Sequence, residues 1–188
     1  MQAAKAALRK HIRTTLERIS PAVRAAESIE LCERLKPQLQ SARTILFFAS
    51  LPGELDLWPL LEELAPGGKT VALPWFDPVL QSYRVRRVED LAGEIETGKF
   101  GVREPASHCS EISLELIDLV LVPGVAFDLS GNRLGRGQGF YDRLLAKITG
   151  VKCGVSYDFQ LLAKIPAEPH DAKVNYILTP TRGVKIKG

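Results

Sequence analysis

The sequence predicts an α/β fold: a three-layer αβα sandwich with a mostly parallel central sheet, entered through two helices that precede the first strand. Three observations predict it. Short, continuous apolar runs recur along the chain, as strands covered on both faces show. Helical patterns fill the intervals between these runs, as the crossovers of a parallel sheet require. Finally, 188 residues without an internal repeat, low-complexity tract or linker suit one domain, residues 1–188, with a single core.

The elements follow in chain order. Over residues 3–19, Leu8, Ile12, Leu16 and Ile19 fall on one helical face, beside a basic stripe of Lys5, Arg9 and Arg13. Ser20 and Pro21 supply an N-cap and a first-turn proline for a second helix carrying Val23, Ala26, Ile29 and Leu35, which Pro37 is expected to disturb. At Thr44 the pattern changes to TILFFAS, the first predicted strand. KTVALP, DLVLVP, VKCGVSY and VNYILTP repeat that character, while residues 83–88 alternate and read as an edge or hairpin strand. Helices are predicted over 57–64, capped by Asp56 and stopped at Gly67 and Gly68, and over 139–148, stopped at Gly150. Ligands of such sheets bind beyond the carboxyl ends of the strands, so the loops after Ser50, Pro74, Pro123, Tyr157 and Pro180 are the places to inspect.

Composition narrows the class of function. Hydrophobic residues at 45% and charged residues at 25% are ordinary globular values. A net charge of +3 is too small to attract polyanions in general, and neither an RNP-like aromatic pair nor zinc-finger spacing is present, so no nucleic-acid partner is expected. The N-terminus is charged throughout, and no apolar stretch reaches membrane-spanning length; a cytoplasmic protein without a membrane partner is expected. Cys32, Cys109 and Cys153 read as reduced thiols, and with His11, His108 and His170 scattered no transition-metal site is expected.

The chemistry concentrates after DLVLVP, in GVAFDLSGNRLGRGQGFYDRLL. Gly135, Gly137 and Gly139 remove Cβ atoms at alternate positions, so backbone N–H groups can approach an anion to which the following helix also points its positive end. Arg133 and Arg136 can add forked contacts to phosphate oxygens, and Asp142 just inside the helix could hold a magnesium ion bridging those phosphates. On spacing alone the stretch reads equally as a flexible, solvated turn with a first-turn acid. Gly68, Lys69 and Thr70 imitate the end of a Walker A loop, but Glu63 stands where its first glycine belongs and the chain enters a strand there, so that segment is a turn.

NRLGRGQGFYDRLL, preceded by VLVPGVAFD, resembles the signature of the 5-formyltetrahydrofolate cyclo-ligases, also called methenyltetrahydrofolate synthetases. The resemblance extends over nearly the whole chain through KAALRKHIR, LPGELDLWPLL, KFGVREP and PHDAKVNYILTP. It implies an ATP- and magnesium-dependent enzyme acting on a reduced folate, and a monomer is expected. Carried over by position, it implies ATP binding by Lys5, Arg9, Arg133, Leu134, Gly135, Arg136, Gly137, Gln138, Gly139, Phe140 and Tyr141, with Arg136 and Tyr141 catalytic. It implies folate binding by Glu54, Phe100, Phe48 and Ala49, and magnesium ligation by Asp142 and Asn175.

Three positions depart from the family pattern. Phe140 stands where a tyrosine is common, Gln138 where lysine or alanine is frequent, and Asn175 where an aspartate is frequent, which removes a charge from any metal shell. Phosphoryl transfer works by positioning and charge neutralisation, so the absence of a Ser/His/Asp or Cys/His constellation is expected. Two other readings stay open: a different ATP-dependent small-molecule enzyme on the same scaffold, and a non-catalytic folate-binding paralogue.

Overall fold

A computed structural model describes residues 1–98, 101–169 and 171–187. Helix α1 (Gln2–Glu17) and helix α2 (Pro21–Leu39) precede strand β1 (Thr44–Leu46). There follow α3 (Trp58–Leu64), β2 (Thr70–Asp77), β3 (Ser82–Val88), β4 (Ile95–Thr97), β5 (Arg103–Pro105) and β6 (Leu119–Pro123). The chain continues through β7 (Ala126–Asp128), β8 (Arg133–Leu134), α4 (Phe140–Leu145) and β9 (Val151–Val155). It ends with β10 (Leu161–Leu162), β11 (Tyr176–Leu178) and β12 (Gly183–Lys185).

The main sheet has the order β12-β11-β9-β6-β1-β2-β3. Its five inner strands are parallel, while β3 pairs antiparallel with β2 and β12 with β11 at the edges. Alternate residues supply opposite layers. Ile45, Val71, Leu121 and Cys153 pack with Leu31, Leu35 and Leu39 of α2 and Leu60 and Leu61 of α3. Leu46, Ala72, Val120 and Ile177 face the other way, toward Leu144 and Leu145 of α4 and the ring of Phe127. This is the predicted sandwich, and its mostly parallel sheet puts the carboxyl ends of β1, β2, β6 and β9 on one side.

Several boundaries differ from the sequence reading, each for a local reason. Ser20 caps α2 as expected, its hydroxyl accepting from Val23 N at 3.3 Å. Pro37 does not end that helix; it sits in the last turn, and burial of Leu39 at 1% exposure carries the chain two residues further. Asp56 accepts from Trp58 N at 3.0 Å one residue ahead of the N-cap, Leu57. The helix expected over 139–148 keeps only six residues, although Ile148 remains buried beyond it. The alternating segment at 83–88 is the edge strand β3, a hairpin partner of β2. Asp77 pins their turn, its Oδ1 accepting from Val79 N and Leu80 N at 2.9 and 3.0 Å.

Candidate active site

The glycine-rich loop is held in place by side chains buried beneath it. Asp128, fully buried, accepts through Oδ1 from Ser130 N and Asn132 N and through Oδ2 from Asn132 Nδ2 and Ile165 N, at 2.9 to 3.1 Å. Gln160 donates to the carbonyls of Gly124 and Val125 at 3.2 and 2.9 Å. Between these anchors, Leu134 buries its side chain with Ala126 and Ile165, so only its backbone can meet a ligand. Gly137 and Gly139 take φ of +103° and +67°, conformations that side chains rarely adopt. Arg9 reaches across from α1 and donates from Nε to the Gly135 carbonyl at 2.8 Å, tying the first helix to the loop.

Two cavities open on the loop. One, of about 320 Å³, is basic: Arg9, Arg13, Arg24 and Arg136 line it with Glu17, Glu54, Phe48 and Tyr157. The other, of about 360 Å³, is walled by Ala49, Leu51, Pro74, Tyr83, Phe140 and Tyr141 and edged by Glu104, Arg133, Arg136 and Asp142. Both volumes lie in the range of small-molecule sites. Glu54 and Arg136 line both, and the ion pair between them, Nη2 to Oε1 at 2.6 Å, stands on the shared boundary. Glu54 is further tied by Leu51 N, which donates to its Oε2 at 3.0 Å.

The apolar wall is a set of edge-to-face rings. Phe140 meets Phe76 and Tyr83 at centroid separations of 5.1 and 5.9 Å, and Tyr83 meets Tyr141 at 5.4 Å. Phe140 thus keeps the ring a tyrosine would offer and loses its hydroxyl. Burial pushes the Tyr141 phenol well above its ordinary value and raises Tyr83 too, with Glu54 and Glu104 adding to both. Both phenols stay neutral near pH 7 and can donate hydrogen bonds.

The sequence-predicted residues converge unevenly. Arg9, Arg136 and the loop from Gly135 to Tyr141 meet at the cavities, joined by Ala49, Phe48, Glu54 and Asp142. Arg133 is not free to fork onto phosphate: it is 5% exposed, donating to the Pro123 carbonyl at 3.0 Å and to Asp142 Oδ1 at 2.8 Å. Lys5 lines neither cavity. It is buried, and its ammonium donates to Glu168 at 2.8 Å and Asp171 at 2.6 Å. Asn175 is also elsewhere, its Oδ1 accepting from Lys152 N at 2.8 Å where β9 begins, away from the strands' carboxyl ends. Phe100 lies outside the described residues.

Sequence reasoning missed Tyr83, Glu104, Arg13 and Arg24 as cavity residues. The string KFGVREP held one signal: Glu104 is an acid directly before a proline on a short strand. The sequence reading also left the histidines and cysteines scattered. The structure brings Glu94, His108 and Cys109 together with ligand atoms within 4.8 Å. That group does not resemble a charged metal cage. Burial pushes the Cys109 thiol up, and Glu94 Oε2 already accepts from the amides of Glu89 and Asp90.

The sequence model of the 5-formyltetrahydrofolate cyclo-ligase family matches residues 1–180. The chain is 35% identical over 187 residues to the 5-formyltetrahydrofolate cyclo-ligase of Mycolicibacterium smegmatis, covering 96% of this chain and 95% of that one. It is 34% identical over 150 residues to the enzyme of that name from Escherichia coli, covering 78% and 82%. The solution structure of Aquifex aeolicus 5,10-methenyltetrahydrofolate synthetase superimposes with a TM-score of 0.89 at 32% identity, over 98% of this chain and 93% of that one.

Proposed function

Because the chain belongs to the 5-formyltetrahydrofolate cyclo-ligase family, we propose that residues 135–141 grip the terminal phosphates of ATP while the adjoining apolar cavity holds the reduced folate. The activity itself is ATP-dependent conversion of 5-formyltetrahydrofolate to 5,10-methenyltetrahydrofolate. The single observation that carries the site assignment is the Glu54–Arg136 pair, shared by a basic and an apolar cavity.

The chemistry explains why such a boundary is useful. An N-formyl group is a poor electrophile, since its nitrogen lone pair is delocalised into the carbonyl. Attack by the formyl oxygen on the γ-phosphorus forms an O–P bond and expels ADP with the electron pair of the broken P–O bond. N10 of the folate then attacks the activated carbon and loses its proton. The C–O bond breaks, phosphate leaves carrying the former formyl oxygen, and the methenyl bridge remains. None of these steps needs a nucleophilic side chain; they need two ligands held in line with their negative charge matched.

The chain's residues divide that work. Arg136 leaves Glu54 for the phosphates, and the Glu54 oxygen so released faces the folate. Arg9 holds the loop through Gly135 and adds charge from the helix side. Arg133, kept in place by Asp142, sets the loop's shape from below and lends positive potential. With α4 only six residues long, the guanidinium groups outweigh the helix dipole as phosphate partners. Tyr141 and Phe140 form the apolar wall, and the neutral Tyr141 phenol can donate to the reacting oxygens. Lys5, closed in by Glu168 and Asp171, docks α1 instead of contacting phosphate.

Magnesium belongs to the same proposal. Asp142 fits one end of it: Oδ1 accepts from Arg133 and, at 3.4 Å, from Ala172 N, and a second carboxylate oxygen remains for a cation brought in with the nucleotide. Bound there, the ion would neutralise charge on the phosphoryl oxygens. Asn175 has no part in it, its amide oxygen being used in the sheet. We place the enzyme in the cytoplasm as a monomer; three buried, unpaired cysteines suit a reducing compartment.

Mixing the protein with MgATP and 5-formyltetrahydrofolate and following the methenyl product by ultraviolet absorbance tests the reading. ATP-dependent product formation is expected, and at low ATP it should be much weaker for Arg136→Ala in a folded protein. Undiminished turnover by that variant would refute the phosphate-gripping role of Arg136.

A further inference from the structure

Glu104 is a buried acid without an ion-pair partner among the described residues, where Arg86 offsets its burial only slightly. It sits in the middle of β5 at 6% exposure and lines the apolar cavity opposite Tyr83 and Tyr141. Its Oε2 accepts from Phe76 N at a long 3.4 Å, while its Oε1 is buried without a hydrogen-bond partner among the described residues. A Cβ added at Gly98 would overlap the Glu104 carboxyl carbon, so the backbone closes tightly over one side of the group. A carboxylate stripped of water and left unpartnered is costly, and folds keep one where a ligand supplies the missing donors.

Glu54 is differently placed, with one oxygen on Arg136 and the other on Leu51 N. We propose that Glu104 anchors the pterin, its carboxylate accepting from the two adjacent donors of the 2-amino-4-oxopyrimidine edge, N3–H and the 2-amino group. Two parallel N–H to carboxylate oxygen bonds fit that edge as they fit a guanidinium fork. The ring then lies against Tyr83, Tyr141 and Ala49, with its formyl-bearing side turned toward the Glu54–Arg136 boundary. This inference rests on the folate reading of the apolar cavity and goes further by naming the group that reads the pterin. Burial also raises the Glu104 carboxyl, as expected of an acid lacking partners until a ligand arrives.

The test is steady-state kinetics on the full chain, wild type and Glu104→Gln, with each substrate varied in turn. An amide keeps one acceptor and sets its NH2 against a second donor, so KM for 5-formyltetrahydrofolate should rise on the order of 100-fold while KM for ATP stays within about twofold. A wild-type protein that forms product, beside a variant whose folate KM moves less than about threefold, would overturn the inference and leave the activity standing. A wild-type protein that forms none removes the reading beneath it and the inference together. Should Glu104→Gln fail to fold, the wild type decides the matter with the 2-desamino-2-methyl analogue of the substrate. A KM raised about 30-fold or more supports the contact, and an unchanged KM overturns it. In a folded variant that discrimination should largely vanish, which a purely structural role for Glu104 would not produce.

Discussion

Removing the Asp142 carboxylate tests whether the loop is built on a buried ion pair. Arg133 has only 4% of its side chain exposed and depends on two acceptors, the Pro123 carbonyl and Asp142 Oδ1. Its Nε is buried without a partner among the described residues, so no alternative acceptor waits for the charge. Breaking a fully buried pair from one side costs about 3–5 kcal/mol. Asp142 is 23% exposed, so water softens the loss, and Asp142→Ala should lower unfolding free energy by about 2–3 kcal/mol. The remaining positive charge causes most of that loss. Adding Arg133→Met to Asp142→Ala should therefore recover about 1 kcal/mol or more, because the charge goes while the volume stays. Urea denaturation followed by intrinsic fluorescence measures all four corners of the cycle. A single variant costing under about 1 kcal/mol, or a double variant no better than it, would refute the reasoning.

Other substitutions separate ligand contacts from scaffold. Arg136→Ala should raise the ATP KM about tenfold or more and leave the urea midpoint in place, since an exposed pair contributes roughly 0–1 kcal/mol; a shifted midpoint with unchanged KM would reverse that assignment. Glu54→Gln should weaken folate more than ATP, and an equal loss of both would place Glu54 outside the folate pocket. Asn175→Asp should leave the magnesium needed for half-maximal activity unchanged, because its side chain already serves Lys152 N; a lowered requirement would bring it back to the metal. Gly154→Ala drives a methyl to 2.7 Å from the buried Phe127 ring and should cost about 1–3 kcal/mol, read in the same urea titration. Glu104 also gives a pH signature. Its carboxyl is raised in the folded state, so it holds a proton there longer than in the unfolded chain. Its contribution to stability is fullest at low pH and falls as pH rises from the ordinary glutamate value toward the raised one. Glu104→Gln should flatten that fall and unfold at higher urea near pH 7; parallel wild-type and variant profiles would contradict it.

The fold was legible because its signals are long and local. Val120, Leu121 and Val122 are buried from both faces, which is why DLVLVP reads as one apolar run. The short strands β4, β7, β8, β10 and β12 escaped, since two or three residues cannot display a period. The glycine loop and its arginines stood out by composition, but which arginine points outward was not legible. Arg133 and Arg136 are separated by only two residues, yet one is buried on Asp142 and the other exposed against Glu54. That difference arises from long-range contacts with Pro123 and Glu54, beyond what spacing encodes. The burial of Lys5 was hidden for the same reason: its acidic partners lie 163 and 166 residues away. Glu104 needed the tertiary structure too, because an unpartnered oxygen is recognised only once its neighbours are placed.

One isotope experiment bears most directly on phosphoryl transfer at the boundary between the cavities. Substrate carrying labelled oxygen in its formyl group should, in a single turnover with MgATP, deliver that label to inorganic phosphate in step with methenyl product. Product formed while the label passes to water would mean that the formyl oxygen is never phosphorylated there.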